Sequence, residues 1–253
     1  MTNTRKIKFE IAIVLLLSLG ASAIYSIVSL LEKILSPAGI GGSTSAINPT
    51  ESYQELFDFA YRLIGIGLGF APVFLVFYLL ADHFKNPFEL LGLWRLKKTD
   101  FSNGIVLFAV IGIPGLALYL TARTLGLAAK IVPGEFEYWW LIPMLLFSAL
   151  KAAAVEEVIM IGYLFKKLEQ LNVSFRNQQI ISATIRASYH AYQGFAGIIG
   201  NFVMGLVFGW AYRRWGRVAP LLFAHFLLDA VSFVGYALLA KHCLLYTSDA
   251  ADE

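Results

Sequence analysis

Long apolar runs alternate with short polar segments along most of the chain. A run of about 20 apolar residues can cross the hydrocarbon core of a bilayer as an α-helix, and windows of about 19 residues locate about seven such runs. They lie roughly at 9–31, 56–80, 102–122, 138–165, 178–193, 197–212 and 218–240. The pattern predicts an all-α fold, a polytopic membrane helix bundle of about seven transmembrane helices.

Basic residues collect in four of the polar segments. These segments are "RKIK" near the start, "HFKNPFELLGLWRLKK" after the second run, "KKLEQLNVSFR" after the fourth and "RRWGR" after the sixth. All four fall on the same side of the membrane if the N-terminus is inside, as the positive-inside rule expects. We therefore expect a multi-pass protein of the cell membrane with a cytoplasmic N-terminus and the end of the seventh helix outside.

The first apolar run permits two interpretations. It follows "RKIK" as the apolar part of a signal peptide would, but it is longer than such parts usually are, and "SPAG" is a weak cleavage signal. We expect a retained first helix, with a signal peptide as the alternative.

Composition agrees with the membrane prediction and narrows the function classes. The hydrophobic fraction of 58% and the mean hydropathy of +0.68 exceed the range of soluble proteins. The net charge is only +3, and Lys and Arg collect in short segments between the apolar runs. This distribution indicates the orientation of the helices in the membrane rather than nucleic-acid binding. The one cysteine, Cys243, excludes an intramolecular disulfide.

We expect a single integral membrane domain over residues 1–242, with its chemistry at about 138–240. In the sixth run, Gly197, Gly205 and Gly209 predict close helix packing. The final segment "CLLYTSDAADE" (243–253) turns abruptly polar and acidic, and it resembles the translated adapter of a sequencing library. We expect this tail to be non-native and assign it no function.

Three of the predicted spans contain ionisable residues too deep to reach the membrane surface. These are Glu156 and Glu157 in the stretch "KAAAVEEVIMIGYLF", Arg186 and His190 in the fifth span, and His225 and Asp229 in the seventh. An ionised carboxylate near the centre of a membrane helix costs about 2.5–3.5 kcal/mol on insertion scales. We therefore expect these side chains to face a polar interior shared by three helices.

Helical spacing groups these residues further. The pairs on the fifth and seventh spans are each four residues apart, so each pair shares a helix face. Glu156 and Glu157 diverge by about 100° in a regular helix, so we expect one to face a reacting centre and the other to brace a neighbouring helix. Together the carboxylates and imidazoles form a hydrolytic or metal-binding set.

The three segments resemble the motifs of the CPBP intramembrane proteases, the CAAX protease and bacteriocin-processing (Abi) family. That family carries Glu-Glu-x-x-x-Arg, Phe-x-x-x-His and His-x-x-x-Asn/Asp motifs on separate membrane helices. The matching stretches are "EEVIMI" (156–161), "RASYH" (186–190) and "HFLLD" (225–229), in the same order. The resemblance implies a CAAX-protease-like hydrolase, an intramembrane metalloprotease that cleaves a peptide bond of a membrane-associated peptide or protein.

The resemblance also implies roles for the motif residues. Glu156 would activate the attacking water together with His190, Glu157 would position the helices, and His225 with Asp229 would bind a metal or stabilise the oxyanion. Two histidines and one glutamate, here Glu156, His190 and His225, match a catalytic zinc site with an open water position. The same groups suit a metal-free glutamate with an oxyanion hole, so a divalent metal such as zinc and a cofactor-free mechanism both stay open.

Two positions depart from the family pattern. Ile161 stands where the motif arginine is expected, and Arg186 stands where the phenylalanine is expected. An unpaired Glu157 would be unfavourable in the membrane. We therefore expect Arg186 to supply, across the helix interface, the cation that Ile161 does not provide.

Two other functions compete with proteolysis. A proton-coupled transporter also uses intramembrane glutamates and histidines, but the two halves of the chain lack the inverted repeat and the paired broken helices of many transporters. A catalytically silent scaffold or bacteriocin-immunity protein of the same fold is the second alternative, and the departure at Ile161 keeps it open.

Overall fold

The structure is a computed structural model that describes residues 3–82, 84–133 and 138–248. The α-helices among these residues are α1 (Asn3–Leu15), α2 (Ala21–Leu35), α3 (Gly39–Gly42), α4 (Glu55–Gly69), α5 (Ala71–Ala81), α6 (Pro87–Leu90), α7 (Lys98–Thr124), α8 (Leu141–Glu156), α9 (Leu164–Gln170), α10 (Phe175–Tyr189), α11 (Phe195–Trp215) and α12 (Ala219–Ser248). A π-helical segment, Leu16–Gly20, joins α1 to α2, and another, Glu157–Tyr163, joins α8 to α9. The prediction of an all-α membrane bundle is confirmed.

Four helical segments are long and apolar enough to cross a membrane, judged by length and composition. They are Thr4–Leu35, Glu55–Ala81, Lys98–Thr124 and Phe195–Trp215. The prediction of about seven spans exceeds this number within the described residues. The predicted fourth span carries Lys151 and two glutamates in its apolar part, and the predicted fifth span forms only the 15-residue α10.

The outer surface of the bundle is apolar. Large side chains such as Leu17, Phe74 and Ile113 are each more than 60% exposed. Contiguous exposure of this kind is unfavourable in water, and it is the surface that lipid solvates. The chain is therefore a membrane protein, and its ionisable residues inside the bundle are shielded from lipid by surrounding helices.

The first helix is tied into the bundle by a polar contact. The Glu10 carboxylate accepts a hydrogen bond from the Tyr163 hydroxyl at 2.9 Å and lies 2.7 Å from the Lys167 ammonium. Lys167 is fully buried, and a buried ammonium requires such a counter-charge. The contact packs the first helix against the π-helical segment and α9, and its retention stays a prediction.

One end of the bundle is closed by a small sheet that the sequence did not predict. Strands β1 (Thr44–Ile47) and β2 (Lys130–Pro133) pair in parallel. Gly194, in the turn between α10 and α11, forms an isolated bridge with Ala128 nearby. This close approach needs glycine, since Gly194 has a φ of 94° and an added Cβ would lie 2.8 Å from the Leu127 carbonyl oxygen. The sheet thus abuts the turn that follows His190.

The predicted glycine packing of α11 is confirmed. A Cβ at Gly205 would lie 2.8 Å from the Cα of Ala183 on α10, and one at Gly209 would lie 2.7 Å from Gln179. A Cβ at Gly197 would lie 2.6 Å from the His190 carbonyl oxygen. The three glycines therefore hold α11 against the helix and turn that carry the second motif.

We expect Gly205→Ala to destabilise the protein by about 1–3 kcal/mol, because the added methyl would press on the α10 backbone. Thermal unfolding in detergent measures this effect. The matched control is Gly200→Ala on the same helix, where the new Cβ would meet only Leu118, at 3.6 Å. Equal unfolding temperatures for the two variants would contradict the packing argument.

The predicted non-native tail, 243–253, begins within α12. The helix backbone continues to Ser248, and residues 249–253 lie outside the described residues. The domain limits and the origin of the tail stay predictions.

Candidate active site

The two glutamates lie where α8 changes into a π-helix. Glu156 ends α8, and Glu157 begins the π-helical segment. Backbone hydrogen bonds in a π-helix join residues five apart, so each turn is wider than the turn of an α-helix. Such segments are frequent at functional sites. Both residues are buried, Glu157 completely, while the Glu156 side chain is 10% exposed. Both carboxylates belong to one polar cluster, and apart from a shared arginine they have different partners.

Arg186 on α10 pairs with both carboxylates. Its Nη2 lies 2.7 Å from Glu157 Oε1, and its Nη1 lies 3.2 Å from Glu156 Oε2. The guanidinium is fully buried and also stands 5.6 Å from the centre of the Phe208 ring. The predicted contact between Arg186 and Glu157 is confirmed, and the same cation also serves Glu156.

His225 on α12 completes the arrangement around Glu157. Its Nδ1 lies 2.6 Å from Glu157 Oε1, and its Nε2 lies 3.5 Å from Asp229 Oδ2, one helical turn away. Because an ionised carboxylate only accepts hydrogen bonds, the Nδ1–H donates to Glu157. The imidazole is thereby held in a fixed orientation between two carboxylates.

His190 lies at the C-terminal end of α10, beside Glu156. Its Nε2 is 3.7 Å from Glu156 Oε2, longer than a hydrogen bond. Among the described residues, neither buried ring nitrogen has a hydrogen-bond partner. Buried polar atoms are normally paired, so the ring has donor and acceptor capacity that a substrate or a water can use. The side chain is 18% exposed, which leaves it accessible.

The ligand set that the structure assembles differs from the predicted zinc set. Ligand atoms of Glu156, Glu157 and His225 lie within 4.8 Å of one another and can hold a metal ion. Glu157 therefore stands in this set where His190 was predicted. The reason is local geometry: Glu157 turns towards His225 at the start of the π-helix, whereas His190 approaches Glu156 alone.

Two polar residues of the site were missed in the sequence. The Tyr189 hydroxyl donates to Glu156 Oε2 at 2.8 Å. Lys151, on α8, interacts electrostatically with Asp229 and Glu156. A charge in the middle of the fourth predicted span was a signal for Lys151, because it lies too deep to reach the surface. Tyr189 offered no such signal, since a tyrosine beside a histidine is unremarkable in sequence.

The position of the missing motif arginine is closed to solvent. Ile161 is completely buried within the main apolar cluster, together with residues such as Val158 and Leu221. The arginine that pairs with the two glutamates therefore comes from α10 rather than from the π-helical segment.

Comparison with known families agrees with the motifs and the geometry. Residues 138–231 match the family described as Type II CAAX prenyl endopeptidase Rce1-like. Neither the curated proteins nor the solved structures gave a match. The matched segment begins just before α8, ends within α12 and contains all of the predicted site residues. Over this segment the chain is similar to the CAAX protease family, and the segment carries stretches that resemble that family's motifs.

Proposed function

We propose that the protein is an intramembrane endopeptidase that hydrolyses a peptide bond of a membrane-associated peptide or protein. One observation carries this proposal. Glu156, which is buried but partly accessible, lies beside the His190 imidazole, whose nitrogens have no hydrogen-bond partner among the described residues. The adjacent Glu157 is held by Arg186 and His225. Such a pairing of a base with an unengaged imidazole suits the activation of water.

Glu156 is the proposed general base. Its contacts with Arg186, Tyr189 and His190 all involve Oε2, which leaves Oε1 to take a proton from water. The hydroxide oxygen adds to the substrate carbonyl carbon. The C–N bond then breaks, and the proton passes from Glu156 to the leaving amine, so that the carboxylate is regenerated.

His190 and His225 are proposed to stabilise the reacting oxygen atoms. His190 positions the water beside Glu156, and the Nε2 of His225 can donate to the oxyanion when it is protonated. Glu157 orients His225 by accepting from its Nδ1, whereas Asp229 lies 3.5 Å from the Nε2, too far to take the proton that the oxyanion needs. Glu157 is a positioning residue in this scheme, because its Oε1 already accepts from Arg186 and from His225.

The site offers ligand atoms for a divalent metal, but it also contains a positive charge that opposes metal binding. The metal would be held by Glu156, Glu157 and His225. The buried Oε2 of Glu157 has no hydrogen-bond partner among the described residues, so its lone pairs are available to a metal. A bound zinc ion would polarise the carbonyl and acidify water. Arg186, however, already pairs with both carboxylates, so a dication would be bound beside a permanent positive charge. We therefore favour the metal-free reaction.

Chelation is expected to leave activity within about twofold of the untreated protein, because the residues alone supply the base and the positive charge. The measurement compares cleavage rates in liposomes before and after dialysis against a zinc chelator. A loss greater than about tenfold that is restored by zinc would show that a metal carries the reaction.

The proposal itself is tested by proteomics of purified protein in liposomes with a lipopeptide library. We expect new peptide termini with the wild type and none with His190→Ala or Glu156→Ala. Cleavage that survives both substitutions would refute the assignment. Transport of solute or protons without any cleavage would instead favour a transporter.

A further inference from the structure

An open cavity of about 540 Å³ lies at the end of the bundle closed by β1 and β2. Small-molecule sites usually have volumes of about 300–1,000 Å³. The walls come from α2, from β1 with the segment that leads into it, and from the turn after α10. Hydroxyl groups predominate in the lining, from Ser29, Ser36, Ser43, Thr44 and Ser45. None of the residues proposed for hydrolysis lines this cavity, so it is a separate polar site.

Lys33 places a buried positive charge in the wall of this cavity. The residue is 9% exposed, and its ammonium donates to Ser45 Oγ at 2.6 Å and to the Tyr192 carbonyl oxygen. Within residues 3–82, 84–133 and 138–248, no carboxylate lies at ion-pair distance from it. A buried ammonium is normally paired with an anion. Since an ammonium has three protons to donate, one is left for an anionic ligand.

The rim of the cavity carries the opposite charge. Glu32 lines the cavity next to Lys33, but Glu32 is exposed whereas Lys33 is buried. Free phosphate is largely doubly charged at neutral pH, so the Glu32 carboxylate would repel it strongly. A ligand with an inner anion and an outer ammonium would instead be attracted by both side chains. The charges therefore favour a zwitterion.

An apolar stripe on α2 borders the cavity on its outer side. Val28, Leu31 and Leu35 are each more than half exposed, and at about 100° per residue they lie on the face of α2 adjacent to Glu32. The stripe belongs to the span Thr4–Leu35, and Lys33 lies two residues before the end of that span. This depth is where the hydrocarbon core of a bilayer meets the headgroups. A ligand with acyl chains can therefore lie along the stripe while its headgroup enters the cavity.

The cavity shares a wall with the turn that follows His190. The Lys33 ammonium and the Ser45 hydroxyl both donate to the Tyr192 carbonyl oxygen. The Tyr192 amide donates to the Ser26 hydroxyl oxygen at 2.7 Å, and the Tyr192 ring stacks 6.4 Å from the His190 ring. A ligand that binds Lys33 therefore acts on backbone two residues away from the imidazole.

We propose that this cavity binds a zwitterionic phospholipid whose headgroup carries a primary ammonium, such as phosphatidylethanolamine. The phosphodiester pairs with Lys33 and accepts hydrogen bonds from the serine hydroxyls, and the headgroup ammonium donates to Glu32 at the rim. The bound lipid holds the turn and thereby positions His190. Lipid binding stands on the cavity alone, whereas its effect on cleavage rests on the proposed peptide hydrolysis.

Native mass spectrometry of the delipidated full-length protein in detergent measures the binding. The probes are phosphatidylethanolamine, phosphatidylcholine and phosphatidylglycerol with identical acyl chains. The choline headgroup cannot donate a hydrogen bond to Glu32, and the glycerol headgroup leaves a net negative charge beside it. We expect the ethanolamine lipid to bind about 10-fold more tightly than either, as one charge-assisted contact implies.

Two substitutions separate the two ends of the headgroup. Lys33→Met should abolish the binding of the ethanolamine lipid. Glu32→Gln should remove only the preference among the three lipids, and it changes an exposed side chain that folding does not require. The matched control is Lys130→Met, because Lys130 is an exposed lysine on β2 and pairs in register with Thr44 of the cavity wall. It should keep the full preference.

Three results would overturn the proposal. The first is equal binding of the three lipids to the unmodified protein, or a preference for the glycerol lipid, whether or not Lys33→Met folds. The second is a preference for the ethanolamine lipid that both Lys33→Met and Glu32→Gln retain. The third is displacement of the lipid by inorganic phosphate at the same concentration, which would identify free phosphate as the ligand.

Cleavage in liposomes tests the effect on the active site. Replacing part of the phosphatidylcholine by phosphatidylethanolamine should raise the cleavage rate by about fivefold, within the usual range of coupling between two sites, and Glu32→Gln should remove this increase. Selective binding without an increase would refute the positioning of His190. If the lipid binds selectively and no peptide is cut, the hydrolysis is refuted and the lipid site survives. If peptides are cut and no lipid binds selectively, the lipid site is refuted and the hydrolysis survives.

Discussion

Glu156→Gln is expected to lower kcat for peptide cleavage by about 100- to 10,000-fold, the range that general acid–base catalysis supplies. The amide keeps the size of the carboxyl group and can still contact Tyr189 and Arg186, but it cannot take a proton from water. Substrate binding should change far less, because the substitution removes the base rather than a binding surface. Single-turnover cleavage in liposomes separates the two effects.

The matched control for this substitution is Glu169→Gln. Glu169 lies in α9, its side chain is 67% exposed, and it pairs only with Lys166 among the described residues. An exposed pair of this kind contributes about 0–1 kcal/mol, so the variant should cleave at the rate of the unmodified protein. Comparable losses in the two variants would mean that Glu156 acts through folding and not through chemistry.

Arg186→Phe is expected to destabilise the bundle by about 3–5 kcal/mol, because it leaves two buried carboxylates without their cation. The phenylalanine restores the residue that the family pattern has at this position, so side-chain size alone does not explain the loss. Thermal unfolding in detergent and cleavage in liposomes should both fall. The unfolding temperature is the decisive measurement, because it does not depend on knowing the substrate.

If Arg186 replaces the motif arginine, the effect of Ile161→Arg on stability should change sign with the residue at position 186. Ile161→Arg alone should destabilise the protein, since it adds a second buried cation next to Arg186. In the Arg186→Phe background the same substitution should stabilise it, because the new arginine takes over the carboxylates. Such coupling is what a double-mutant cycle measures. A double variant no more stable than Arg186→Phe alone would refute the exchange.

Most contacts of the site could be predicted from the positions of its residues along the sequence and from the free-energy cost of burying charge. Glu156, Arg186 and His225 stand on separate predicted helices, and their depth in the membrane required them to meet. The pairing of Arg186 with Glu157 followed from the same reasoning, since each would otherwise be an isolated charge. These contacts are strongly specified because the membrane offers no solvent alternative.

Other features lay beyond the sequence because they depend on local backbone geometry. The sequence assigned different contacts to Glu156 and Glu157, whereas in the structure one guanidinium, that of Arg186, pairs with both carboxylates. Glu157 also joins the group of possible ligands with Glu156 and His225. Hydropathy does not report the π-helical segment that begins at Glu157.

The number of spans and the small sheet illustrate the same limit. Charges reduce the apolar length of the fourth predicted span, and the fifth is shielded by neighbours such as α11 rather than by its own hydropathy. The strands β1 and β2 are four residues each and pair across more than 80 residues of sequence. Pairing of residues so far apart in sequence leaves little trace in either segment.

The most direct measurement of the central claim is mass spectrometry of the cleavage products formed in ¹⁸O-labelled water. Purified protein in liposomes is incubated with the lipopeptide library for a single turnover, beside its Glu156→Gln variant. Water-mediated hydrolysis predicts one ¹⁸O in each newly formed carboxylate and products that decrease about 100-fold or more in the variant. Intact peptides with the unmodified protein, or labelled products formed equally fast by the variant, would contradict the account.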